Sequence, residues 1–456
     1  MARDVSDSTP LSSRDELVAY LEDGCKPQQS FAVGTEHEKI PFYAATLAPV
    51  PYDGGPAGGV RDLLEGMRDA LGWEEIRDDG PLIGLYDAQG GAISLEPGGQ
   101  FELSGAPLAT IHDTAAELER HFEALRKVAD PLGIKFLALG MSPKWRLDET
   151  PVMPKQRYAI MRRYMPKVGT RGLDMMFRTA TVQANLDFSS EADMVRKLRV
   201  SLALQPLATA LFANSPFTDG RLNGFLSARS QIWLDTDAER TGMLPFAFED
   251  GMGFERYVDY ALDAPMYFVK RGETYVDVAG QSFRDLLAGK LPGLPGERAR
   301  LSDWANHLST IFPEVRLKRY LEMRGADAGP APMLLALPAL FVGLLYDEAA
   351  LDETYEMIRP WSEAARLALR RDVPRLGLFS HVEGRLLKDV ARDVLGLARA
   401  GLERRGRRDG AGRDEAAFLD PLDAVLDGGA PAERLIEAFE TRWDGSVDPA
   451  FSACAY

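Results

Sequence analysis

Cysteine and histidine are scarce in this sequence. It has two cysteines, Cys25 and Cys454, and five histidines among 456 residues. Neither a zinc cluster of thiolates nor a disulfide framework can be built from that supply. The scarcity favours a reducing compartment, and any pairing of Cys25 with Cys454 depends on a separation that is not readable from sequence.

Positive charge is also in short supply. Lys and Arg number 53 against 69 for Asp and Glu, so the formal net charge is −16. A chain this acidic is not suited to bind nucleic acid or anionic lipid through bulk electrostatics. The arginine-rich residues 403–414 are interpreted as a solvated helix end and loop, so we expect no nucleic-acid partner.

Long apolar runs are missing too. The longest uncharged stretch, residues 329–346, is interrupted by Pro330, Pro332 and Pro338. A membrane-spanning helix needs about 20 consecutive apolar residues, so this stretch predicts a buried helix pair instead. The first residues carry Asp4 and Asp7 and lack the apolar core of a signal peptide, so we expect no membrane partner.

What remains is ordinary globular material, with 45% hydrophobic and 27% charged residues. We expect a single catalytic domain over 1–456, with a helical segment at 1–30 and a helical part at 347–456. Alternating patterns predict strands at 31–40, 92–104, 136–141, 179–188 and 315–324. Helical patterns occur at 13–21, 59–71, 114–129, 191–213, 302–310, 349–369 and 385–402.

These elements do not alternate as in a parallel α/β fold, and no dinucleotide or P-loop glycine motif follows a strand. The fold class we predict is α+β. A curved antiparallel sheet of about six strands lines the active site, and helices surround it.

The strands carry carboxylates at alternate positions. Glu36 and Glu38 are two residues apart, so a strand projects both from one face, about 6–7 Å apart. Two like charges held this close favour a cation between them. The alternative, in which both point to solvent, stays open for this strand taken alone.

Other strands repeat the theme. The turn at Pro97-Gly98-Gly99 can re-aim Glu96 toward Gln100 and Glu102. Polar residues alternate with apolar ones through 181–188, and basic residues accompany Glu322 in the last strand; the polar positions are Thr181, Gln183, Asn185, Asp187, Arg316, Lys318 and Arg324. Carboxylate and amide oxygens suit Mg²⁺ or Mn²⁺, and basic side chains suit phosphate. Together they indicate a metal–nucleotide site.

These motifs resemble the metal and nucleotide strands of the glutamine synthetase-like carboxylate–amine ligases. The matching patterns are Glu36-x-Glu38, Glu96-x5-Glu102 and Glu322-x-Arg324-x-x-Asp327. Within that superfamily the sequence is similar to the glutamate–cysteine ligase family of plant and proteobacterial type, from residue 31 to 456. The resemblance implies the glutamine synthetase-like fold.

The resemblance also implies a reaction and its partners. L-Glutamate and Mg·ATP would give bound γ-glutamyl phosphate and ADP, and the amine of L-cysteine would then displace phosphate to form γ-glutamylcysteine, the first step toward glutathione. The rivals are a ligase that uses a different amine and a non-catalytic nucleotide-binding paralogue. We expect a monomer or homodimer.

Roles for individual residues follow from the resemblance alone. One metal would be held by Glu38, Glu96 and Glu102, and a second by Glu36, Gln183 and Glu322, where relatives carry a histidine at the position of Gln183. Arg324 would face the transferred phosphate and act with Glu322 in catalysis. Arg316, Lys318 and Arg324 would contact the nucleotide, and Arg157, Arg229 and Arg240 would contact substrate.

Some alternatives stay open. Arg157 has the alternative of a surface position, and Arg229 that of a structural ion pair with Asp235 or Asp237. Replacing Glu36 or Glu322 by Gln is expected to slow the reaction with little loss of folding. Plant members carry two cysteines where this sequence has Val278 and Gly293, so that redox switch is not expected. The sequence lacks a transit peptide, which predicts a bacterial cytoplasmic enzyme.

Overall fold

An open antiparallel sheet of nine strands organises the part of the chain that the computed structural model describes, residues 6–456. Its order is β14-β15-β7-β1-β5-β4-β3-β2, and β6 pairs with the far end of β1. The strands of the chain are β1 Val33–Tyr43, β2 Glu74–Arg77, β3 Leu82–Tyr86, β4 Ala92–Leu95, β5 Phe101–Ser104, β6 Ile134–Leu137, β7 Thr181–Leu186, β8 Phe217–Thr218, β9 Arg221–Leu222, β10 Thr241–Gly242, β11 Phe268–Arg271, β12 Thr274–Asp277, β13 Phe312–Pro313, β14 Val315–Leu317, β15 Leu321–Asp327, β16 His381–Val382 and β17 Arg385–Leu386. The antiparallel α+β class is confirmed, and the prediction of about six strands was too low.

Helices cover one face of this sheet, which we call the back face. The helices are α1 Arg14–Glu22, α2 Val60–Leu71, α3 Ile111–Ala129, α4 Gln156–Tyr164, α5 Gly172–Arg178, α6 Glu191–Leu211, α7 Ala228–Trp233, α8 Phe254–Asp263, α9 Phe283–Leu287, α10 Leu301–Leu308, α11 Ala331–Leu345, α12 Glu348–Ile358, α13 Glu363–Leu376, α14 Leu387–Arg405, α15 Asp420–Gly428, α16 Pro431–Thr441 and α17 Ala450–Ala453. α6 contacts β15, and α11 contacts β1 and β7. Alternate strand residues such as Leu103, Val182, Ala184 and Met323 join this core, because successive side chains point to opposite faces.

One large apolar core joins residues from α1 to the start of α16. The partition into one domain with helical end segments stays a prediction.

Two segments that were each predicted as a single strand are β-hairpins in the structure. Residues 92–104 form β4 and β5, which pair so that Ser94 lies opposite Glu102. Residues 315–324 contain β14 and most of β15, which pair so that Arg316 lies opposite Glu322. In a single strand those two residues would be about 20 Å apart. Pro97-Gly98-Gly99 was predicted as a turn or bulge, but the turn at Lys318 and Arg319 went unrecognised because these residues lack the usual glycine or asparagine signal.

The apolar stretch at 329–346 is one helix rather than a helix pair. α11 continues through Pro338, and nearly all of it is buried. In the described residues no single helix is long and apolar enough to cross a membrane, although α11 and α12, bent by 90° at their junction, would pass that test together. The helix predicted at 349–369 is broken around Pro360 into α12 and α13.

Glu117 on α3 provides a test of how this fold responds to pH. Burial is the largest effect on its carboxyl group and raises the pKa to about 7, although the amide N–H of Ala106 donates to it. The folded protein therefore holds a proton that the unfolded chain has lost, and the stability that this proton provides is complete below pH ~4.5 and disappears as pH rises through 7.

We expect Glu117→Gln to raise the free energy of unfolding by about 1–3 kcal/mol at pH 8. The difference should fall below about 1 kcal/mol near pH 5, because Gln keeps the acceptor for Ala106 and both side chains are then neutral in the folded protein. Urea unfolding at the two pH values measures this. An equal effect at both values would contradict it.

Candidate active site

The opposite face of the sheet, which we call the front face, brings the predicted carboxylates together. Glu36 on β1 lies opposite Gln183 on β7 and Ser104 on β5, and Glu38 lies opposite Glu102. The register places these side chains on one face because they occupy alternate positions on each strand. The alternative in which Glu36 and Glu38 point to bulk solvent is excluded, since Glu36 is only 5% exposed and both line one cavity.

Three of these carboxylates form a group that repels itself. Burial, and then the charges of Glu96 and Glu102, raise the pKa of Glu38 well above its usual value. The amide of Thr181 donates to Glu38 at 3.0 Å and opposes that rise. The hydroxyl of Ser94 donates to Glu102 at 2.6 Å. A divalent cation among the three carboxylates would relieve the repulsion.

The turn between β4 and β5 aims Glu96 at this group. Gly99 has φ of +87°, a conformation that favours glycine. A Cβ at Gly98 would lie 2.1 Å from the carbonyl oxygen of Phe177, so only glycine fits there. The hydroxyl of Tyr158 donates to Glu96 at 3.2 Å. The expected re-aiming of Glu96 by this turn is therefore present.

Glu322 has different surroundings, because three cations contact its fully buried carboxylate. Arg316 and Lys318 each approach within 2.7 Å, and Arg324 also pairs with it. Burial alone would raise its pKa, but Arg316, Lys318 and Arg324 together hold it well below the usual value. The ionised carboxylate of Glu322 therefore holds the three basic side chains together.

Arg324 also occupies the space between the predicted ligands of a second metal. Its Nη1 donates to Oε1 of Gln183 at 3.0 Å and pairs with Glu322. Asn185 donates to Glu36 at 2.8 Å. The positive charge that contacts both Gln183 and Glu322 is therefore the guanidinium of Arg324. Glu36, Gln183 and Glu322 are for this reason less suited to a metal ion than the carboxylates around Glu38.

Arg157 and Arg229 face the same cavity. The Arg157 guanidinium lies 5.4 Å from the ring centre of Phe268, as in a cation–π contact. Arg229 is 3% exposed and donates to the carbonyl oxygen of Arg324 at 2.9 Å. Its nearest carboxylate is Asp327 at 3.9 Å, so neither Asp235 nor Asp237 is its partner.

Arg240 is placed differently. It is completely buried, pairs with Asp237 at 2.6 Å, and donates to the carbonyl oxygens of Thr310 and Pro265. Its guanidinium stacks 4.0 Å from the ring centre of Tyr267. It does not line the cavity, so this structure corrects its proposed substrate contact to a structural role. The physical reason is that its donors are taken by the protein itself.

One cavity of about 110 Å³ collects most of the predicted residues. Those that line it are Glu36, Glu38, Glu96, Glu102, Gln183, Arg157, Arg229, Arg316 and Arg324. Lys318 and Glu322 lie behind them, both buried. The arrangement places an acidic group and a basic group side by side, as metal-assisted phosphoryl transfer requires.

The cavity also contains residues to which the sequence patterns assigned no role. They include Lys155, Tyr158, Thr181, Trp233 and Phe312. Lys155 and Tyr158 both donate to the carbonyl oxygen of Leu95, at 3.1 and 2.8 Å. No periodic pattern singled out this pair, because Lys155 precedes α4 with an extended backbone and only Tyr158 lies in the helix.

The residues that line the cavity fit a metal ion only in part. Within residues 6–456 no three His, Cys, Asp or Glu side chains are already arranged as a closed metal site. Glu38, Glu96 and Glu102 nevertheless line the same cavity, and Glu38 lies directly opposite Glu102 in the sheet. Oxygen donors of this kind fit Mg²⁺ or Mn²⁺ better than Zn²⁺.

Val278 and Gly293, where plant members carry cysteines, are neighbours. A Cβ at Gly293 would lie 2.9 Å from Cγ1 of Val278. Cys25 and Cys454 are both free thiols. The fold therefore brings the two positions together, but no sulfur is there to form a bond.

The sequence of this chain matches a known protein family. The family model described as glutamate-cysteine ligase family 2 (GCS2) matches residues 32–453. Glutamate–cysteine ligase B, chloroplastic, of Oryza sativa subsp. japonica is 55% identical over 98% of this chain and 88% of its own length. Glutamate–cysteine ligase, chloroplastic, of Arabidopsis thaliana is 56% identical over 98% and 84%.

Solved structures show the same fold at low identity. The Francisella tularensis glutamate–cysteine ligase, determined in complex with AMP, matches with a TM-score of 0.53 and 12% identity over 96% of this chain and 86% of that one. A bifunctional glutathione synthetase from Pasteurella multocida matches with a TM-score of 0.51 and 14% identity, over 94% and 51%.

The expected bacterial cytoplasmic location was wrong. The similar curated proteins are plant enzymes whose names place them in the chloroplast. The prediction rested on not recognising a transit peptide, and net charge and cysteine count do not distinguish one reducing compartment from another.

Proposed function

The chain belongs to glutamate–cysteine ligase family 2, and we propose that it joins the γ-carboxylate of L-glutamate to the amine of L-cysteine with hydrolysis of ATP to ADP and phosphate. The observation that carries this proposal is the single cavity in which Glu38, Glu96 and Glu102 face Arg229 and Arg324. The carboxylate-rich and arginine-rich parts suit a reaction between anions.

The first step needs both kinds of side chain. A γ-carboxylate oxygen of glutamate attacks the γ-phosphorus of ATP, and the bond to the β-phosphate oxygen breaks to release ADP. The two reactants are both anionic, so their approach requires cations on either side. We propose that Arg324 and Arg316 face the phosphates, and that Arg157 and Arg229 bind substrate carboxylate through bidentate pairs.

The second step forms the amide. The neutral amine of cysteine attacks the acyl carbon of γ-glutamyl phosphate, the bond from that carbon to the phosphate oxygen breaks, and the proton lost by the nitrogen leaves with the phosphate. We propose that Glu38, Glu96 and Glu102 would hold Mg²⁺ or Mn²⁺, which when bound polarises phosphate oxygens. Glu36 and Gln183 would contribute to a second position only if Arg324 turned away, and Lys318 supports the nucleotide side through Glu322.

Two alternatives to this function are less well supported. A non-catalytic paralogue would not need to retain every predicted carboxylate on the front face. A ligase that uses another amine is an outcome of the activity test described next, because the residues of a small acceptor pocket do not identify the amine that it binds. A monomer or homodimer stays a prediction.

The amine preference is tested by measuring ADP release in Mg²⁺ with glutamate plus cysteine, 2-aminobutyrate or other amines. We expect the largest kcat/KM with cysteine, and γ-glutamylcysteine as the product by mass. Omitting Mg²⁺ with chelator should abolish turnover, and Mn²⁺ should restore it. Turnover with another amine but not with cysteine would reject the assigned acceptor.

A further inference from the structure

The strand that carries Arg324 has a bulge at that residue. β15 pairs with β7 at Met323–Ala184 and then at Ala326–Val182, so β15 has one more residue than its partner between these pairs. A bulge re-aims a side chain and leaves backbone groups outside the ladder. Arg324 and Gly325 are the residues between the two pairs, and their backbone groups need other partners.

Two helix side chains on the back face bond the bulge at Gly325. The Gly325 N–H donates to Oε1 of Gln205 at 2.7 Å. The hydroxyl of Thr209 donates to the Gly325 carbonyl oxygen at 2.9 Å. Both side chains are 1% exposed, so the bonds are shielded from water. A Cβ at Gly325 would lie 2.6 Å from Oε1 of Gln205, so a larger residue there would displace the Gln205 side chain from this bond.

The neighbouring Arg324 is held through its backbone as well. Its N–H donates to the carbonyl oxygen of Glu314 at 3.1 Å, and its carbonyl oxygen accepts from Nη2 of Arg229 at 2.9 Å. Each polar backbone atom of Arg324 and Gly325 therefore has a defined partner. Among these partners, Gln205 and Thr209 are the two that bond the bulge through side chains from outside the cavity.

We propose that Gln205 and Thr209 of α6 are positioning residues for catalysis, acting by fixing the Arg324–Gly325 bulge so that Arg324 points into the cavity. The inference rests on the proposed role of Arg324 toward phosphate. Neither side chain lines the cavity, so any effect on turnover is transmitted through the bulge. Small displacements of a reacting or charge-stabilising group cost rate steeply.

The test compares close variants on one helix. Thr209→Val and Gln205→Met remove the two bonds with little change of volume. We expect each to lower kcat roughly 10- to 100-fold, with KM for glutamate and ATP within about threefold of wild type. Thr209→Ser keeps the hydroxyl and should stay within about twofold.

Ser201→Ala is the matched control. Ser201 lies on the same face of α6, is fully buried, and its hydroxyl has no hydrogen-bond partner in the described structure. Its removal should leave kcat unchanged. Circular dichroism melts establish that every variant is folded at the assay temperature. A loss in Ser201→Ala equal to that in Thr209→Val would overturn the proposal.

A double-mutant cycle with Arg324→Lys separates this inference from the proposed role of Arg324. If Thr209 acts through Arg324, adding Thr209→Val to Arg324→Lys should cost less than about twofold. A fully additive loss, or wild-type kcat in Thr209→Val and Gln205→Met while Arg324→Lys is slow, overturns the inference alone. Wild-type kcat in Arg324→Lys itself would overturn both.

Discussion

Replacing Glu38 by Gln is expected to abolish most of the activity without weakening the fold. Glu38 is repelled by Glu96 and Glu102, which together with burial raise its pKa. Neutralising it removes that repulsion, and the Gln oxygen can still accept from the amide of Thr181. The rate should fall roughly 10²- to 10³-fold, because a negative charge that balances the cation and the developing phosphate charge is lost.

The measurement pairs steady-state kinetics over a range of Mg²⁺ concentrations with urea unfolding. We expect an unchanged or higher midpoint of unfolding and a higher Mg²⁺ requirement. Glu119→Gln, an exposed glutamate on α3, is the control and should change neither quantity. Normal turnover in Glu38→Gln at low Mg²⁺ would reject the metal role of this carboxylate.

Replacing Glu322 by Gln should damage the fold itself. Three cations contact the Glu322 carboxylate in a fully buried position. Removing the carboxylate that all three contact leaves buried positive charge without its nearest partner, which costs about 3–5 kcal/mol. This prediction differs from the expectation from the sequence, which was that Glu322→Gln would slow the reaction with little loss of folding.

An exposed ion pair gives the comparison for Glu322. Glu255 pairs with Arg14 at 3.3 Å, and its side chain is 72% exposed. Glu255→Gln should therefore cost less than about 1 kcal/mol. Urea unfolding of both variants at pH 7 measures the contrast. Equal stability of the Glu322→Gln variant and wild type would show that the three cations have other compensation.

Arg316 and Glu322 were predicted to lie on the same face, and they do lie together, but on a hairpin and not on a single strand. The sequence pattern placed Arg316 and Glu322 on one face of a single strand. The structure brings them within 2.7 Å by folding residues 315–324 into a hairpin. Strand periodicity is a local property, whereas the pairing partner of a strand depends on a turn whose residues carried no strong signal.

α6 illustrates a signal that was present and not used. Lys197, Ser201, Gln205 and Thr209 recur every four residues in a helix that is otherwise apolar where it is buried. Polar groups inside a core need partners, so such a row indicates a backbone irregularity or a buried charge opposite it. The helix itself was predicted, but the bulge that Gln205 and Thr209 meet was not.

The role of Arg240 could not be distinguished from that of Arg229 by sequence alone. Its chemistry equals that of Arg229, and both lie near one another in the chain. Only the fold decides that the guanidinium of Arg240 bonds to Asp237 and two carbonyl groups, while that of Arg229 faces the cavity.

From the amino-acid order alone, the class of fold, the alternation of carboxylates on β1 and the family likeness were accessible, because each depends on local periodicity or on matching residues. Tertiary structure decided which carboxylates meet: Glu38 lies among other acids, and Glu322 lies among cations. The reason is that the pKa and partners of a carboxylate depend on burial and on charges from distant segments, which pairing of strands brings within a few ångströms.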